Sequence, residues 1–246
     1  VAIPALNAKS SVSWVAENAA PTEAAPTVRQ VTLSPKTVSC FIDLSRKLVI
    51  QSDPSCEEIF RNDMISQVAS AIDQVAINGG GSNQPDGILQ TTGIGATNMG
   101  DNGLAPTYAS IVNNIREVDV DNALDGSLYF LTNPKVIAKL RLVAKVASTD
   151  SKMILGDTDN LLGYKVWSTN NVPSNLTKGT SSGVCSAIIF GNFQDLMIGE
   201  WSGVDVLVDP YTGSSTGATR ITVFKDVDVA VRHAESFSAT QDYLTT

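Results

Sequence analysis

Residues 55–87 read SCEEIFRNDMISQVASAIDQVAINGGGSNQPDG, and they contain the longest helical pattern in the chain. Apolar residues recur every three or four positions through the first part, which is the spacing of one buried helix face. These residues are Phe60, Met64, Val68, Ile72 and Val75. The pattern predicts a helix from about Ser55 to Asn78, which at 1.5 Å per residue would be a rod of about 36 Å.

Three glycines, at positions 79 to 81, follow this predicted helix. A phosphate-binding loop has its glycines before a helix, so that free N–H groups and the positive end of the helix dipole point at the anion. The order here is reversed, and no Gly-Lys-Ser or Gly-Lys-Thr follows. The glycines therefore predict a left-handed cap of the helix, and the segment from Gln84 to Gly87 predicts a tight turn.

The composition limits the classes of partner. With 246 residues, 43% of them hydrophobic, the chain can bury a substantial core. Its net charge of −8 disfavours nucleic acid, because sequence-independent binding uses Lys and Arg to neutralise phosphates. Its apolar runs are shorter than the roughly 18 residues that cross a bilayer. We therefore expect no specific nucleic-acid binding and no membrane partner.

A local basic stretch follows Pro134, with apolar residues between its charges. The basic residues are Lys135, Lys139, Arg141 and Lys145. Proline at the first position of a helix and this alternation are typical of an amphipathic helix. We interpret the charges as its solvated face rather than as a phosphate-binding patch.

Helical and extended patterns are mixed along the chain without regular β-α-β order, which favours an α+β fold. Further helices are predicted near Thr107 to Val118 and from Pro134. Strands are predicted at Leu128 to Leu131, Tyr164 to Ser168, Cys185 to Phe190, Leu196 to Ile198, Val204 to Val208 and Arg220 to His233, the last with one interruption. A further strand is predicted where Val38, Cys40, Ile42 and Leu44 alternate with other residues.

The N-terminal region predicts a long hairpin. The segment ENAAPTEAAPT, residues 17–27, lies between Trp14 and the β-prone residues Val28 to Leu33. It holds two prolines among alanines and has too few apolar side chains to form a core of its own. We interpret it as an exposed hairpin tip.

The sequence offers no catalytic, cofactor or metal site. His233 is the one histidine, the three cysteines lack a Cys-x-x-Cys pair, and no metal-ligand spacing is present. Carboxylate pairs two residues apart occur at Asp157 and Asp159 and at Asp226 and Asp228. Such pairs can serve glycoside hydrolysis, but aspartate is also a common turn residue. We expect that the protein is not an enzyme. The less favoured alternative is a carbohydrate-active β-rich module that uses these aspartate pairs, or Trp167 and Trp201.

Taken in order, a series of motifs resembles the tailed-bacteriophage major capsid protein family, whose fold is the Hong Kong 97-like fold. The motifs are WVAE (14–17), VTLSPKTVSCFIDLSRKLVIQSDP (31–54), AIDQVAINGGG (71–81), QPDGIL (84–89), FLTNP (130–134), LLGYKVWSTNNVP (161–173), IIFGNF (188–193) and KDVDVAVRHAESF (225–237). Together they span nearly the whole chain.

The resemblance implies a domain organisation. Residues 1–37 would form an N-terminal segment with the extension-loop hairpin. Residues 38–100 and 204–226 would form a peripheral domain, with the long helix as its spine. Residues 101–203 and 227–246 would form an axial domain.

The resemblance also implies a structural, non-enzymatic function. The subunit would assemble with itself into pentamers and hexamers of an icosahedral phage or prophage head around double-stranded DNA, and scaffolding, portal or decoration proteins are further expected partners. The location would be the virion capsid, assembled in the bacterial host cytoplasm. An encapsulin-like bacterial compartment shell is the alternative. Because a hairpin without a core must bury one face elsewhere, Trp14, Glu17 and Arg29 are the candidate subunit-contact residues.

Overall fold

The computed structural model describes residues 1–8, 10, 12–51, 55–146, 152–156 and 158–245, with the side chains of residues 7, 8, 49, 55 and 56 excepted. Its helices are α1 (Arg46–Gln51), α2 (Ser55–Asn78), α3 (Tyr108–Val120) and α4 (Pro134–Leu142). Its strands are β1 (Ala2–Ala8), β2 (Thr27–Thr32), β3 (Lys36–Leu44), β4 (Gly95–Ala96), β5 (Leu128–Thr132), β6 (Asn160–Leu161), β7 (Tyr164–Ser168), β8 (Leu176–Lys178), β9 (Ser181–Asn192), β10 (Leu196–Glu200), β11 (Asp205–Asp209), β12 (Thr219–Val231) and β13 (Phe237–Leu244).

The predicted long helix is confirmed as α2, and its buried face packs on strands β3 and β12. Met64 and Val68 form a core with Leu44, Ile221 and Val223. Strand β3 alternates as predicted: Val38, Cys40, Ile42 and Leu44 are buried or half-buried, whereas the residues between them are exposed. The local periodicities of helix and strand therefore specify this layer of the fold.

Strand β12 is the shared strand of the first sheet. It pairs antiparallel with β3 along one edge, and with β11 and β10 along the other. The opposite edges follow from the register, since Phe224 faces both Ser39 and Asp205, and Val227 faces both Lys36 and Glu200. The interruption predicted within this strand was wrong, because β12 runs unbroken over 13 residues.

The second sheet has the strand order β4-β13-β9-β5-β7-β6, with β8 paired to β9. Helices α3 and α4 lie on one face, where Ile111, Val136 and Leu140 pack against Phe130 and Phe190. Apolar residues on the opposite face of this sheet form a second hydrophobic core cluster. That cluster contains Ile77, Ile88, Leu89, Val172, Ala187, Ile189, Val231, Phe237 and Ala239.

Side chains fix the starts of both helices on this sheet. The Thr107 hydroxyl accepts a hydrogen bond from the Ser110 N–H, and the Ser110 hydroxyl accepts one from the Thr107 N–H. This reciprocal pair is a capping box at the start of α3. Asn133 caps α4 immediately before Pro134. The Ser110 hydroxyl also lies 2.7 Å from the Tyr243 hydroxyl. Burial of that phenol raises the pKa of Tyr243 to about 12, so it stays neutral and tied to α3.

The two sheets share packing across the predicted domain divisions. Strand β12 continues unbroken across the predicted division between Asp226 and Val227. Ile88 and Leu89 lie within residues 38–100 but pack under the second sheet. The domain bounds proposed from the sequence therefore remain a prediction.

The glycine-rich segment does end α2, and one of its three glycines, Gly81, is left-handed, with a φ of 76°. The predicted tight turn was wrong. Bends lie at residues 81 to 84, rather than a tight turn over Gln84 to Gly87, because Gly80 pairs with Asp86 and Gly87 donates from its N–H to the Gly79 carbonyl at 3.0 Å. The segment thus folds back on the helix end as a closed loop.

Glycine is required at position 79 because another backbone segment passes close to it, and not because of its own backbone conformation. A Cβ atom at this position would meet the Pro85 carbonyl oxygen and would lie 2.7 Å from the Val75 carbonyl oxygen. At Gly80 the nearest atom is the flexible Gln84 Nε2, 3.4 Å away. The two neighbouring glycines therefore differ sharply in the space around them.

We predict that Gly79→Ala destabilises the fold by about 1 to 3 kcal/mol, which is the usual cost of overpacking a closed site. Gly80→Ala is the matched control, and it should change the free energy of unfolding by less than about 1 kcal/mol. Denaturant unfolding of the two variants and the parent chain measures the difference. Equal stability of the two variants would contradict the closed-loop explanation.

Candidate subunit-contact site

The predicted N-terminal hairpin is present as strands β1 and β2. They pair antiparallel from Ala2 opposite Thr32 to Ala8 opposite Thr27. The first arm lies earlier than the sequence indicated, so Trp14 belongs to the connection between the strands. The hairpin starts at a fixed point, because the Val1 ammonium donates to the Leu33 carbonyl at 2.7 Å and the Leu33 N–H donates to the Val1 carbonyl at 2.8 Å.

The base of this hairpin is tied to β12 and the residue after it. The Ser34 N–H donates to the Asp228 carboxylate at 2.8 Å, and the same carboxylate accepts from the Val229 N–H at 3.0 Å. The Arg29 guanidinium donates to the Arg232 carbonyl at 2.6 Å. Leu33 is only 4% exposed. The base is therefore anchored on its own subunit.

The hairpin tip, residues 12–26, extends away from this anchor. Every residue from Val12 to Val28 is exposed. The tip turns at Asn18, whose φ is 63°, and the hydroxyls of Ser13 and Thr22 form a hydrogen bond across it at 3.0 Å. The tip thus has a defined turn but no buried side chain of its own.

The structure places the three candidate contact residues in two different settings. Trp14 is fully exposed in the tip, and Glu17 is exposed at its turn. Arg29 lies instead on β2, at the anchored base, and donates to the Arg232 carbonyl of its own chain. The structure therefore brings Trp14 and Glu17 into one surface and separates Arg29 from them. A role for each of them in a contact between subunits remains a prediction.

A second candidate surface, the outer face of the first sheet, was missed in the sequence. It faces away from α2 and exposes Phe41, Leu207 and Phe224. Beside them, the Arg220 guanidinium donates twice to the Asp43 carboxylate, at 2.7 and 2.8 Å. These hydrogen bonds lower the pKa of Asp43. The available signal was the parity of β3, which places Phe41 among the polar outward residues.

The Arg220 guanidinium also lies 4.3 Å from the centre of the Phe41 ring. A cation over an aromatic face is favourable, so this contact stabilises the exposed ring on the sheet surface. An exposed apolar face edged by charge is typical of a protein contact surface.

The residues considered for catalysis have structural partners. Asp226 accepts from the Thr37 hydroxyl at 2.5 Å, and buried Asp228 accepts from two backbone N–H groups. Asp157, the partner of Asp159 in the other carboxylate pair, lies outside the described residues. Trp167 lies on β7 of the second sheet, whereas Trp201 directly follows β10 of the first sheet. The geometry therefore does not join these residues into one site.

Across the described part of the chain, no group of three or more His, Cys, Asp or Glu residues is arranged to hold a metal ion. Within the same residues, no helix is long and apolar enough to cross a membrane. The surfaces that remain as functional candidates are the hairpin tip and the outer face of the first sheet.

Comparison with known proteins gives a family match over residues 1–242, to the model described as "Phage capsid family". A curated relative, the major capsid protein of Halomonas phage phiHAP-1, is 27% identical over 239 residues, which cover 97% of this chain and 37% of the relative. The chain thus spans 37% of the length of that relative.

Among solved structures, the capsid of a native GTA particle computed with C5 symmetry superposes with a TM-score of 0.76 at 20% identity, over 98% of this chain and 85% of the other. The SrpI encapsulin complex from Synechococcus elongatus PCC 7942 superposes with a TM-score of 0.61 at 15% identity, over 89% and 77%. At these identities the likeness concerns the fold.

We predict that the amides of residues 12–26 exchange with solvent quickly in a verified monomer, whereas the central amides of α2 are strongly protected. The tip buries no side chain, and ordering its backbone costs roughly 1 to 2 kcal/mol per residue. The Leu33 amide, which donates to Val1 at the anchored base, serves as an internal comparison and should exchange more slowly than the tip. Hydrogen exchange measured by mass spectrometry reads all three regions. A tip as protected as α2 would mean that it packs on its own subunit.

Proposed function

The chain belongs to the phage capsid family, and we propose that it is the shell-building part of a structural major capsid protein. Similarity to solved capsid structures confirms the predicted α+β fold of the Hong Kong 97-like kind. In our proposal, copies assemble into pentamers and hexamers of an icosahedral phage or prophage head that encloses double-stranded DNA. The observation that carries it is the hairpin whose base is anchored and whose tip has nothing to pack on.

The proposed subunit has the three parts expected from the sequence. Residues 1–37 are the extension. Residues 38–100 and 204–226 are the peripheral domain, in which α2 is the spine. Residues 101–203 and 227–246 are the axial domain, which meets its copies around the ring axes. Ring contacts of this kind are heterologous, since a rotation brings one flank of a subunit against the other flank of the next.

The tip is proposed to dock on a neighbouring copy. A two-stranded hairpin is marginal in water by itself, so burial against a neighbour is the available source of stability. Trp14 is the natural anchor, because a large exposed aromatic ring gains most from burial. Glu17 supplies a charge for the edge of this contact, and Arg29 supplies one at the anchored base of the hairpin. The outer face of the first sheet, with Phe41, offers a neighbouring copy an apolar surface that can receive the ring.

The proposed subunit is not an enzyme. Its expected partners are its own copies, with scaffolding, portal or decoration proteins around them, and its location is the virion capsid, assembled in the host cytoplasm. The net charge of −8 suits a wall around packaged DNA, since an acidic lining does not grip phosphates. We propose no specific nucleic-acid binding and no membrane partner.

An encapsulin-like compartment shell is the second candidate, and the likeness to an encapsulin at a TM-score of 0.61 is the observation that favours it. The contents of purified particles distinguish the two. Nuclease-protected double-stranded DNA is expected for a phage head. Particles that hold a protein cargo and no DNA would support the compartment instead.

We predict that Trp14→Ala in the full-length protein raises the concentration needed for assembly by about tenfold or more. Burying a large apolar side chain contributes roughly 1.5 to 3 kcal/mol, and the ring has no contact to lose in the monomer. Tyr211→Ala is the matched control, because Tyr211 is another highly exposed aromatic residue, at 83%, and lies outside the tip. Light scattering over a concentration series measures assembly.

Normal assembly of the Trp14→Ala variant, or an equal loss in the Tyr211→Ala variant, would contradict the proposed docking of the tip. Thermal melting of both monomers should match the parent protein. Failure of the parent protein to form particles under any condition would contradict the proposed function itself.

A further inference from the structure

A groove lies on one flank of the second sheet, between α4 and β7. One face of α4 forms a wall, with Ile137 and Ala138 about one helical turn before Arg141, and Trp167 of β7 forms the other. The groove has a volume of about 480 Å³. Its lining mixes apolar side chains, among them Ile137 and Val166, with polar ones, and Trp167 is 49% exposed within it.

Two basic side chains lie at this groove. The Lys165 ammonium lies 3.9 Å from the centre of the Trp167 ring, and Arg141 lines the groove itself. Arg141 pairs with Asp159 at 3.1 Å, on the surface. One residue of the basic stretch that the sequence suggested was a solvated helix face, Arg141, therefore borders this cleft, in a protein whose net charge is −8.

The opposite flank of the same sheet carries a complementary ridge on α3. The inner side of α3 is fixed, because the Ser238 hydroxyl donates to the Asn114 carbonyl at 2.7 Å. Its outer side exposes Val112 and Val120, at 41% and 69%. These positions are two helical turns apart on one face. Acidic residues border them and continue past the end of the helix, at Glu117, Asp119 and Asp121.

The strand order places the ridge and the groove at opposite edges of the sheet. Strands β7 and β6 end one edge and β4 ends the other. Glu117 lies directly over β4, since a Cβ atom added to Gly95 would come 2.7 Å from the Glu117 Cβ. One subunit therefore cannot join its own ridge to its own groove. A rotation about a ring axis can join the ridge of one copy to the groove of the next.

We propose that the outer face of α3 in one copy seats in the groove between α4 and β7 of the next copy. The inference rests on the proposed function and specifies the flank-to-flank contact within its rings. Val112 and Val120 meet the apolar side chains of the groove, while Asp119 and Asp121 face Arg141 and Lys165.

Two pairs of charge reversals in the full-length protein test this contact. Asp119→Lys with Asp121→Lys reverses the ridge, and Arg141→Glu with Lys165→Glu reverses the groove. Each pair should raise the midpoint concentration for ring formation by about tenfold or more, because like charges across an interface are costly. Combining all four substitutions should restore most of the association. Sedimentation velocity at low and high salt measures it, and the parent contact should weaken with salt.

The combined variant keeps the parent net charge of −8, while the two pairs change it in opposite directions, so net charge alone cannot produce loss in both and recovery in the combination. Melting of each monomer within a few degrees of the parent protein excludes misfolding. Rings that form equally well in all variants, or a combination that stays as impaired as the pairs, would overturn this contact and leave the proposed function standing. A parent protein that never forms rings would overturn the proposed function.

Discussion

The rest of the structure depends on the pairing and packing of one strand, β12. Apart from Thr219 and Lys225, its inner parity is valine and isoleucine, and all five of these apolar residues are buried. One end of that face packs on α2, at Ile221 and Val223, while Val231 at the other end joins the cluster beneath the second sheet. Both edges of the strand are used, by β3 on one side and by β10 and β11 on the other. A strand that is paired on both edges and buried on one face cannot shift its register, because a slip of one residue would expose the whole set.

The fixed strand also determines how the N-terminal hairpin is held. Asp228 lies on β12, next to the valines, and is 6% exposed; with both carboxylate oxygens accepting from backbone N–H groups, it ties the start of the link between β2 and β3 to the sheet. Arg29 adds a second tie one residue beyond the strand. The hairpin therefore leaves the subunit from a rigid point, and its tip, residues 12–26, buries no side chain. Rigid cores joined through extended, partner-dependent segments suit a shell in which one chain forms rings of two sizes.

The sequence predicted those parts of the fold that repeat locally. Helix α2 and the alternation of β3 were confirmed, because their apolar periodicity reports which side is buried. The anchoring contacts could not be predicted, since Arg29 and Arg232 are separated by 203 positions and Ser34 and Asp228 by 194. Trp14 was likewise predicted to lie on an arm of the hairpin, whereas it lies in the tip. The prediction explained Gly79 by a left-handed conformation, whereas the close approach of the Pro85 backbone is what requires glycine there. Phe41 could have been recognised from the sequence, because it is an aromatic residue among the polar, outward-facing residues of a strand. It belongs to the outer face of the first sheet, which was not predicted.

The central claim is that an anchored hairpin completes its packing on a neighbouring copy. A cryo-electron microscopy reconstruction of particles formed by the full-length protein tests it most directly, at a resolution that shows the Trp14 side chain. We expect ordered density for residues 12–26 lying against another subunit, with the indole ring buried in that contact and the base still bonded to Asp228 of its own chain. Particles in which the tip projects into solvent, or folds back on its own subunit with the ring buried there, would contradict the account.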